Sequence, residues 1–248
     1  MIDSKALKPV GTGGRSHLAF AVDYPDAEAA RTAVQQIAPH VGVLKIGLEL
    51  FVREGPKAAR IGLDLGCDTF LDLKLHDIPE TVERAVANAC QLGVRYLTVH
   101  ASGGPRMLAR AVERVDKERA PLTILAVTVL TSLDGPDLEA IGVFKTPAEH
   151  VLGLARMASA VGVKGFVCSA AEVGKLRAEL GSSSVLVTPG IRPAGPASDD
   201  QKRVETPGAA IRRGSSLLVV GRPIRDALDP IAAAAAIELE IDQALADA

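Results

Sequence analysis

Short hydrophobic runs alternate along this chain with longer and more polar stretches. Eight runs rich in Val, Leu and Ile occur, at residues 17–24, 41–50, 69–77, 96–102, 122–132, 165–171, 184–191 and 216–222. Continuous runs of this kind are typical of parallel strands that are buried on both faces. The intervening stretches carry helix-start signals, such as Thr146 before Pro147 and Asp229 before Pro230, because a capping residue before a proline favours the first helical turn. The pattern therefore predicts repeated β/α units.

The number of these units and the length of the chain favour an α/β fold, a closed (β/α)8 TIM barrel in a single domain. The chain has 248 residues, and a barrel of this kind typically needs about 250. A doubly wound open sheet is the alternative, but no linker or break in composition marks a second domain. We expect the barrel to span residues 17–248 and residues 1–16 to form a flexible N-terminal arm.

Composition argues against several kinds of binding partner for this domain. The formal net charge is −2, aromatic residues make up 3 % and tryptophan is absent, so we expect no nucleic acid partner. No apolar run reaches the length of a membrane span, and the N-terminus has no signal-peptide core. Cys67, Cys90 and Cys168 form no Cys-x-x-Cys pair, which predicts neither a metal site nor a disulfide framework. We expect a cytoplasmic protein without a metal or membrane partner.

The third hydrophobic run carries charges where a barrel core is expected. Leu71, Leu73 and Leu75 share the face that would pack on helices, whereas Asp72 and Lys74 share the face that points into the barrel. In a regular strand their α-carbons lie about 6.6 Å apart, within reach of an ion pair. A buried charge without a partner costs several kcal/mol, so these positions indicate a functional site at the C-terminal mouth of the barrel.

Other charged residues fall near the same mouth. Asp23 ends the first run, Lys45 lies on the inward face of the second run, and Asp77 ends the third. Structural alternatives stay open for each of them: Asp77 as the cap of the helix that begins near residue 78, Asp23 as a turn residue, and Lys45 as a surface lysine. Asp72 and Lys74 also form a plausible structural ion pair.

The opposite side of the mouth has the features of a phosphate site. Gly190 and Arg192 follow the seventh run, and Gly221 and Arg222 follow the eighth. Loops after these two strands commonly bind phosphate in barrel enzymes, where glycine admits an anion close to the backbone and arginine binds it bidentately. Two surface arginines are the alternative. Gln201 lies in the long polar loop between these runs, which has the length of a lid.

Three further polar residues at strand ends have two interpretations each. Thr131 ends the fifth run and suits either recognition of a small polar ring or a local turn. His100 ends the fourth run and suits either a hydrogen-bonded core position or catalysis. His76, within the third run, is open in the same way.

One segment ties these observations to a known family. Residues 70–82, FLDLKLHDIPETV, resemble the D-x-K-x-x-D signature of the orotidine 5′-phosphate decarboxylases. That signature alone is shared with related sugar-phosphate barrels. The resemblance extends from about residue 17 to the end of the chain and includes binding positions in the family's order, at Asp23, Lys45, Thr131, Arg192, Gln201, Gly221 and Arg222.

The resemblance implies a function and a role for each position. It implies decarboxylation of orotidine 5′-monophosphate to uridine 5′-monophosphate, the last step of de novo pyrimidine biosynthesis, without a cofactor. Lys74 is then the proton donor, and Asp72, Asp77 and Lys45 complete the catalytic network. The family also implies a homodimer. Each subunit lends three residues to the other subunit's nucleotide site: Asp77, Ile78 and Thr81.

Two competing functions follow from the same residues. A magnesium-dependent sugar-phosphate decarboxylase or aldolase of the same barrel group resembles the chain around Asp72. Those enzymes recruit an acid where Lys45 stands, so a lysine there disfavours a bound cation. A non-catalytic sensor of nucleotide phosphates is the second alternative, although a binding module has no need for a buried charged donor such as Lys74.

Overall fold

Each of the eight hydrophobic runs contains a strand. The computed structural model describes residues 13–193 and 205–247. Every strand begins close to the start of its run, but β2 ends at Ile46 because α2 begins at Leu48, and β5 ends at Val127, well before its run does. The strands are β1 (Leu18–Ala21), β2 (Val43–Ile46), β3 (Asp68–Leu75), β4 (Tyr96–His100), β5 (Thr123–Val127), β6 (Gly165–Val167), β7 (Val185–Pro189) and β8 (Leu217–Val220).

These strands close into a parallel barrel in sequence order. The closure is shown by β1, which pairs with β2 through Phe20 and Leu44 and with β8 through Phe20 and Val220. An open sheet would leave two unpaired edges, so the doubly wound alternative is wrong and the predicted (β/α)8 barrel is confirmed.

Helices cover the outside of the barrel. The described helices are two 3₁₀ turns, η1 (Gly14–His17) and η2 (Ala101–Gly103), together with α1 (Ala27–Ile37), α2 (Leu48–Glu54), α3 (Pro56–Asp64), α4 (Pro79–Gln91), α5 (Gly104–Glu118), α6 (Gly135–Ala140), α7 (Pro147–Ala160), α8 (Val173–Leu180), α9 (Pro207–Arg212), α10 (Arg222–Arg225) and α11 (Pro230–Ala246). None of them combines the length and apolar character that a membrane crossing requires.

The alternation of side chains along the strands produces two separate hydrophobic cores. Leu44, Leu71 and Leu97 belong to the core between strands and helices. Phe70 and Tyr96 belong to the smaller core inside the barrel, where their rings meet edge to face at 6.1 Å. Burying a large apolar side chain stabilises the fold by about 1.5–3 kcal/mol. The inner core therefore fills the barrel beneath the polar residues at its C-terminal mouth.

The predicted boundary at residue 17 falls inside ordered structure. Of the proposed arm, residues 1–12 lie outside the described residues, whereas Gly14 and Ser16 are buried in η1. The Gly14 backbone N–H donates to Asp242 of α11. A Cβ at Gly14 would lie 2.3 Å from the carbonyl oxygen of Glu238, so only glycine allows this close approach. The packed region thus begins before the first hydrophobic run.

Candidate active site

Four charged side chains form a row of alternating sign at the C-terminal mouth of the barrel. Lys45 Nζ on β2 lies 3.7 Å from Asp23 Oδ1 after β1 and 3.6 Å from Asp72 Oδ2 on β3. Lys74 Nζ lies 2.9 Å from Asp72 Oδ1 and 2.8 Å from Asp72 Oδ2. Three neighbouring strands thus bring together the residues that the parity of the sequence placed on one face.

The lysines control the charge of Asp72. The side chains of Asp72 and Lys45 are only 12 % and 13 % exposed. Burial acts to raise the pKa of Asp72, but Lys45, Lys74 and the Thr98 hydroxyl outweigh it and hold that pKa below its ordinary value. Asp72 is therefore a carboxylate at neutral pH. Both of its oxygens accept from the ammonium group of Lys74, which is the group that can deliver a proton.

The strand that carries Asp72 and Lys74 is irregular, which the sequence did not predict. Leu71 pairs with Leu97 and Leu75 pairs with Val99. Four steps along β3 therefore match two along β4. Lys74 lies in this bulge with φ of 50°, in the left-handed region that costs a non-glycine residue about 1–2 kcal/mol. Such strain persists where surrounding contacts enforce it, and it is concentrated at functional sites.

Most residues that follow β3 at the start of α4 are exposed. The alternative interpretation of Asp77 as the cap of α4 is wrong: the N-cap is Ile78, and no side chain caps the helix. Proline favours the first helical position, so Pro79 makes the residue before it the cap. The Asp77 carboxylate instead accepts from the Ile78 N–H at 2.6 Å. Asp77 and Thr81 are exposed, and Ile78 is 66 % exposed.

A cavity of about 260 Å³ opens beside the charged row. Lys45, Asp72 and Lys74 form its polar wall, and Thr131 lies on its rim. The facing wall is apolar and was missed in the sequence, because valines on barrel strands look like ordinary core. Shared inward parity on β5 to β8 is the signal that could have revealed it, at Val127, Val167, Val187 and Val219.

The loop after β7 begins and ends next to the barrel. The Arg192 N–H donates to the carbonyl of Glu205 at 3.1 Å, and Ile191 forms a parallel bridge with Glu205. These contacts hold the two ends of the predicted lid together. Gln201 lies outside the described residues, so its predicted place over the cavity stays a prediction.

The loop after β8 approaches the acidic end of the charged row. A Cβ at Gly221 would lie 3.3 Å from Ala21 Cβ and 3.7 Å from Asp23 Oδ2, which shows how closely this backbone passes β1. Arg222 follows as the first residue of α10 and is exposed. Arg192 and Arg222 therefore lie on the loops that follow the neighbouring strands β7 and β8, at the C-terminal end of the barrel.

The cysteine that lines the cavity is not an activated nucleophile. Burial raises the pKa of the Cys168 thiol to about 12, so it stays protonated at neutral pH. The ring of His100 lies 5.4 Å from that of His76. Burial, and then the nearby His76 and Lys74, lower the pKa of His100. The ring of His100 is therefore neutral at neutral pH and does not line the cavity, whereas Lys45, Asp72 and Lys74 do.

Comparisons with known proteins agree with this geometry. Residues 16–237 match the model of the Orotidine 5'-phosphate decarboxylase / HUMPS family. The orotidine 5'-phosphate decarboxylase of Anaeromyxobacter sp. (strain K) is 51 % identical over 217 residues, which cover 88 % of this chain and 94 % of that protein. Its namesake from Pseudoalteromonas translucida is 48 % identical over 225 residues, covering 90 % of this chain and 96 % of the relative.

A solved structure extends the likeness to three dimensions. The crystal structure of orotidine 5'-phosphate decarboxylase from Lactobacillus acidophilus superposes with a TM-score of 0.80 and 37 % identity, covering 91 % of this chain and 98 % of that chain. The family match, the full-length relatives and the shared barrel lead to one conclusion. The chain belongs to the orotidine 5'-phosphate decarboxylase / HUMPS family.

Proposed function

We propose that this protein decarboxylates orotidine 5′-monophosphate to uridine 5′-monophosphate, the last step of de novo pyrimidine biosynthesis, without a cofactor. The observation that carries the proposal is the row Asp23–Lys45–Asp72–Lys74 beside a cavity with an apolar far wall. Relatives over most of the chain bear the name of this activity.

The reaction needs a cation next to carbon 6 of the pyrimidine ring, the atom that loses its carboxylate. When the bond between carbon 6 and the carboxylate breaks, carbon dioxide leaves and the electron pair stays on carbon 6, where the ring hardly delocalises it. The ammonium group of Lys74 stabilises this pair and then transfers a proton to it, so that a neutral amine remains. A fixed cation in a site shielded from water acts strongly because it needs no reorganisation during the reaction. Asp72 holds that cation in place, and Lys45 pairs with the same carboxylate from β2.

The remaining positions bind the rest of the nucleotide. We assign the ribose hydroxyls to Asp23 and Lys45, which lie 3.7 Å apart, and the pyrimidine edge to Thr131. We assign the phosphate to the loops that carry Arg192, Gln201, Gly221 and Arg222. Binding energy from the distant phosphate can then be used to hold the reacting carbon against Lys74.

The active assembly in this proposal is a cytoplasmic homodimer. Asp77, Ile78 and Thr81 complete the site of the partner subunit and not their own. The exposure of all three residues supports this assignment, as does the hydrogen bond that the Asp77 carboxylate accepts from the Ile78 N–H. A groove lined by Ile78, Pro79, Arg106 and Arg110 lies beside them and offers a surface to the partner. The free thiols Cys67, Cys90 and Cys168 fit a reducing compartment.

The proposed function is tested by incubating purified protein with orotidine monophosphate in excess chelator. We expect the ultraviolet absorbance of the substrate to be lost and uridine monophosphate to form in equal amount. Intact substrate would overturn the proposal. Loss of activity in chelator with recovery in magnesium would favour the metal-dependent sugar-phosphate enzymes, and binding without turnover would favour a sensor.

A further inference from the structure

A threonine of β4 faces the irregular part of β3 from inside the barrel. Thr98 is 1 % exposed, and its position lies between Leu97 and Val99, the residues that pair with the two ends of the bulge. Its hydroxyl makes two contacts. Thr98 Oγ1 accepts from the Lys74 backbone N–H at 2.9 Å and donates to Asp72 Oδ1 at 2.9 Å.

These two contacts repair the interruption that the bulge causes. The Lys74 N–H has no ladder partner in the bulge and points toward β4, where the Thr98 hydroxyl accepts it. A buried N–H without a partner is costly. A hydroxyl has one proton and two lone pairs, so Thr98 can accept from the backbone and donate to the carboxylate at once. In the described residues no other side chain contacts both the Lys74 backbone and the Asp72 carboxylate.

The position of the Lys74 ammonium depends on both groups that Thr98 holds. The left-handed backbone of Lys74 fixes where its side chain starts. The Asp72 carboxylate fixes where that side chain ends, through contacts of 2.8 and 2.9 Å to Nζ. A residue that restrains both ends therefore controls the placement of the cation.

We propose that Thr98 is a positioning residue for the decarboxylation, acting through its hydroxyl on both the Lys74 backbone and the Asp72 carboxylate. This inference rests on the proposed function. Thr98 does not touch the reacting atoms in it. Its contribution is the alignment of Lys74 with carbon 6, which affects the chemical step far more than the binding of the nucleotide.

Matched variants separate the hydroxyl from the shape of the side chain. Thr98→Val keeps the shape and removes the hydroxyl, and Thr98→Ser keeps the hydroxyl. We expect Thr98→Val to lower kcat by about 10- to 100-fold, since a hydrogen bond to a charged group is lost. KM and the affinity for uridine monophosphate should stay within about threefold, because ground-state contacts are retained. Thr98→Ser should recover most of kcat.

Thr123→Val is the control for changing a buried threonine of the barrel interior. Thr123 lies on β5 opposite Tyr96, is 3 % exposed, and its hydroxyl has no hydrogen-bond partner within the described parts of the chain. We expect its kcat to match that of the unmodified protein.

Two further readouts distinguish positioning from general support of the fold. Loss of the Thr98 donor removes one interaction that favours the charged carboxylate. The pKa of Asp72, followed by carboxyl ¹³C NMR, should therefore be higher in Thr98→Val than in Thr98→Ser. A crystal structure of Thr98→Val should show Lys74 outside the left-handed region or its Nζ withdrawn from Asp72.

Three outcomes would overturn the inference: a kcat for Thr98→Val within about twofold of the unmodified protein, equal impairment of Thr98→Ser, or a parallel loss of nucleotide binding. If Thr98→Val does not fold, Thr98→Cys replaces it, since a thiol is a weak donor of similar shape. Unmodified protein that leaves orotidine monophosphate intact would refute the proposed function. The difference in Asp72 pKa between the variants would still decide whether Thr98 holds that carboxylate.

Discussion

At the scale of single residues, this site depends on keeping charges where an apolar core would normally lie. Asp72 and Lys45 are nearly buried, and each has a partner of opposite sign within 4 Å. Removing one member of such a set leaves the others unpaired, which is costly. The four charged side chains therefore act together, and we do not expect the effects of single substitutions on kcat to be additive.

Replacing Lys74 by alanine tests the residue that carries the chemistry. We expect kcat to fall by at least about a thousandfold, because one charge contact at 4 Å is worth about 4 kcal/mol at an effective dielectric of 20 and each 1.4 kcal/mol is tenfold in rate. Binding of uridine monophosphate, measured by calorimetry, should persist. Lys117→Ala is the control, since Lys117 is exposed near the end of α5, at the opposite end of the barrel. Near-normal turnover by Lys74→Ala would contradict the assignment.

At the scale of elements, the barrel separates the reacting end of the nucleotide from the end that anchors it. β2 and β3 carry the charged row, whereas the loops after β7 and β8 carry Arg192 and Arg222. A Cβ added at Gly221 would contact both Ala21 and Asp23. The anchoring loops thus adjoin the reacting wall, and the two halves are held at a fixed separation by the closed sheet.

Arg222→Ala tests the anchoring role. We expect kcat/KM for orotidine monophosphate to fall by about 10- to 100-fold, because a charge-assisted hydrogen bond to phosphate is lost. Turnover of orotidine, which has no phosphate, should hardly change. The matched control is Arg60→Ala, an exposed arginine on α3. An equal loss on both substrates would show that Arg222 supports the site in another way.

The elements also show where sequence reasoning succeeds and where it ends. The eight strands could be predicted because hydrophobic runs buried on both faces leave a continuous signal. The charged row could be predicted because Asp72 and Lys74 break that signal at inward positions. The bulge in β3 could not be predicted, because the in-and-out alternation of side chains along a strand assumes a regular ladder. The hydrogen bonds of Thr98 could not be predicted either, because they join two strands that are distant in sequence. Val127 and Val187 carry no mark that separates a cavity wall from a core.

At the scale of the whole molecule, the proposed homodimer divides each site between two chains. Asp72 and Lys74 form a contacting pair within one subunit, whereas the proposal assigns Asp77 to the site of the partner. Asp77 follows Lys74 by three residues along the chain but makes its hydrogen bond to Ile78 instead. A split of this kind makes turnover depend on association.

Mixing two inactive variants tests the shared site. In a hybrid of Lys74→Ala and Asp77→Ala subunits, one site has both intact residues and the other has neither. Random exchange of equal amounts should restore about a quarter of the unmodified turnover, because half of the dimers are hybrids with one good site each. Exchange is verified by mass spectrometry of differently tagged subunits. Verified exchange with no recovery would place Asp77 and Lys74 in the same subunit's site.

The contact between Gly14 and α11 bears on circular permutation of the chain. Gly14 precedes β1, and its partner Asp242 lies in the last helix, so the first and last described elements meet below the barrel floor. A short peptide joining α11 to η1 would make the backbone circular without crossing the mouth. The chain could then be opened in a different β/α connection, and the order of strands around the barrel would be preserved in the permuted protein.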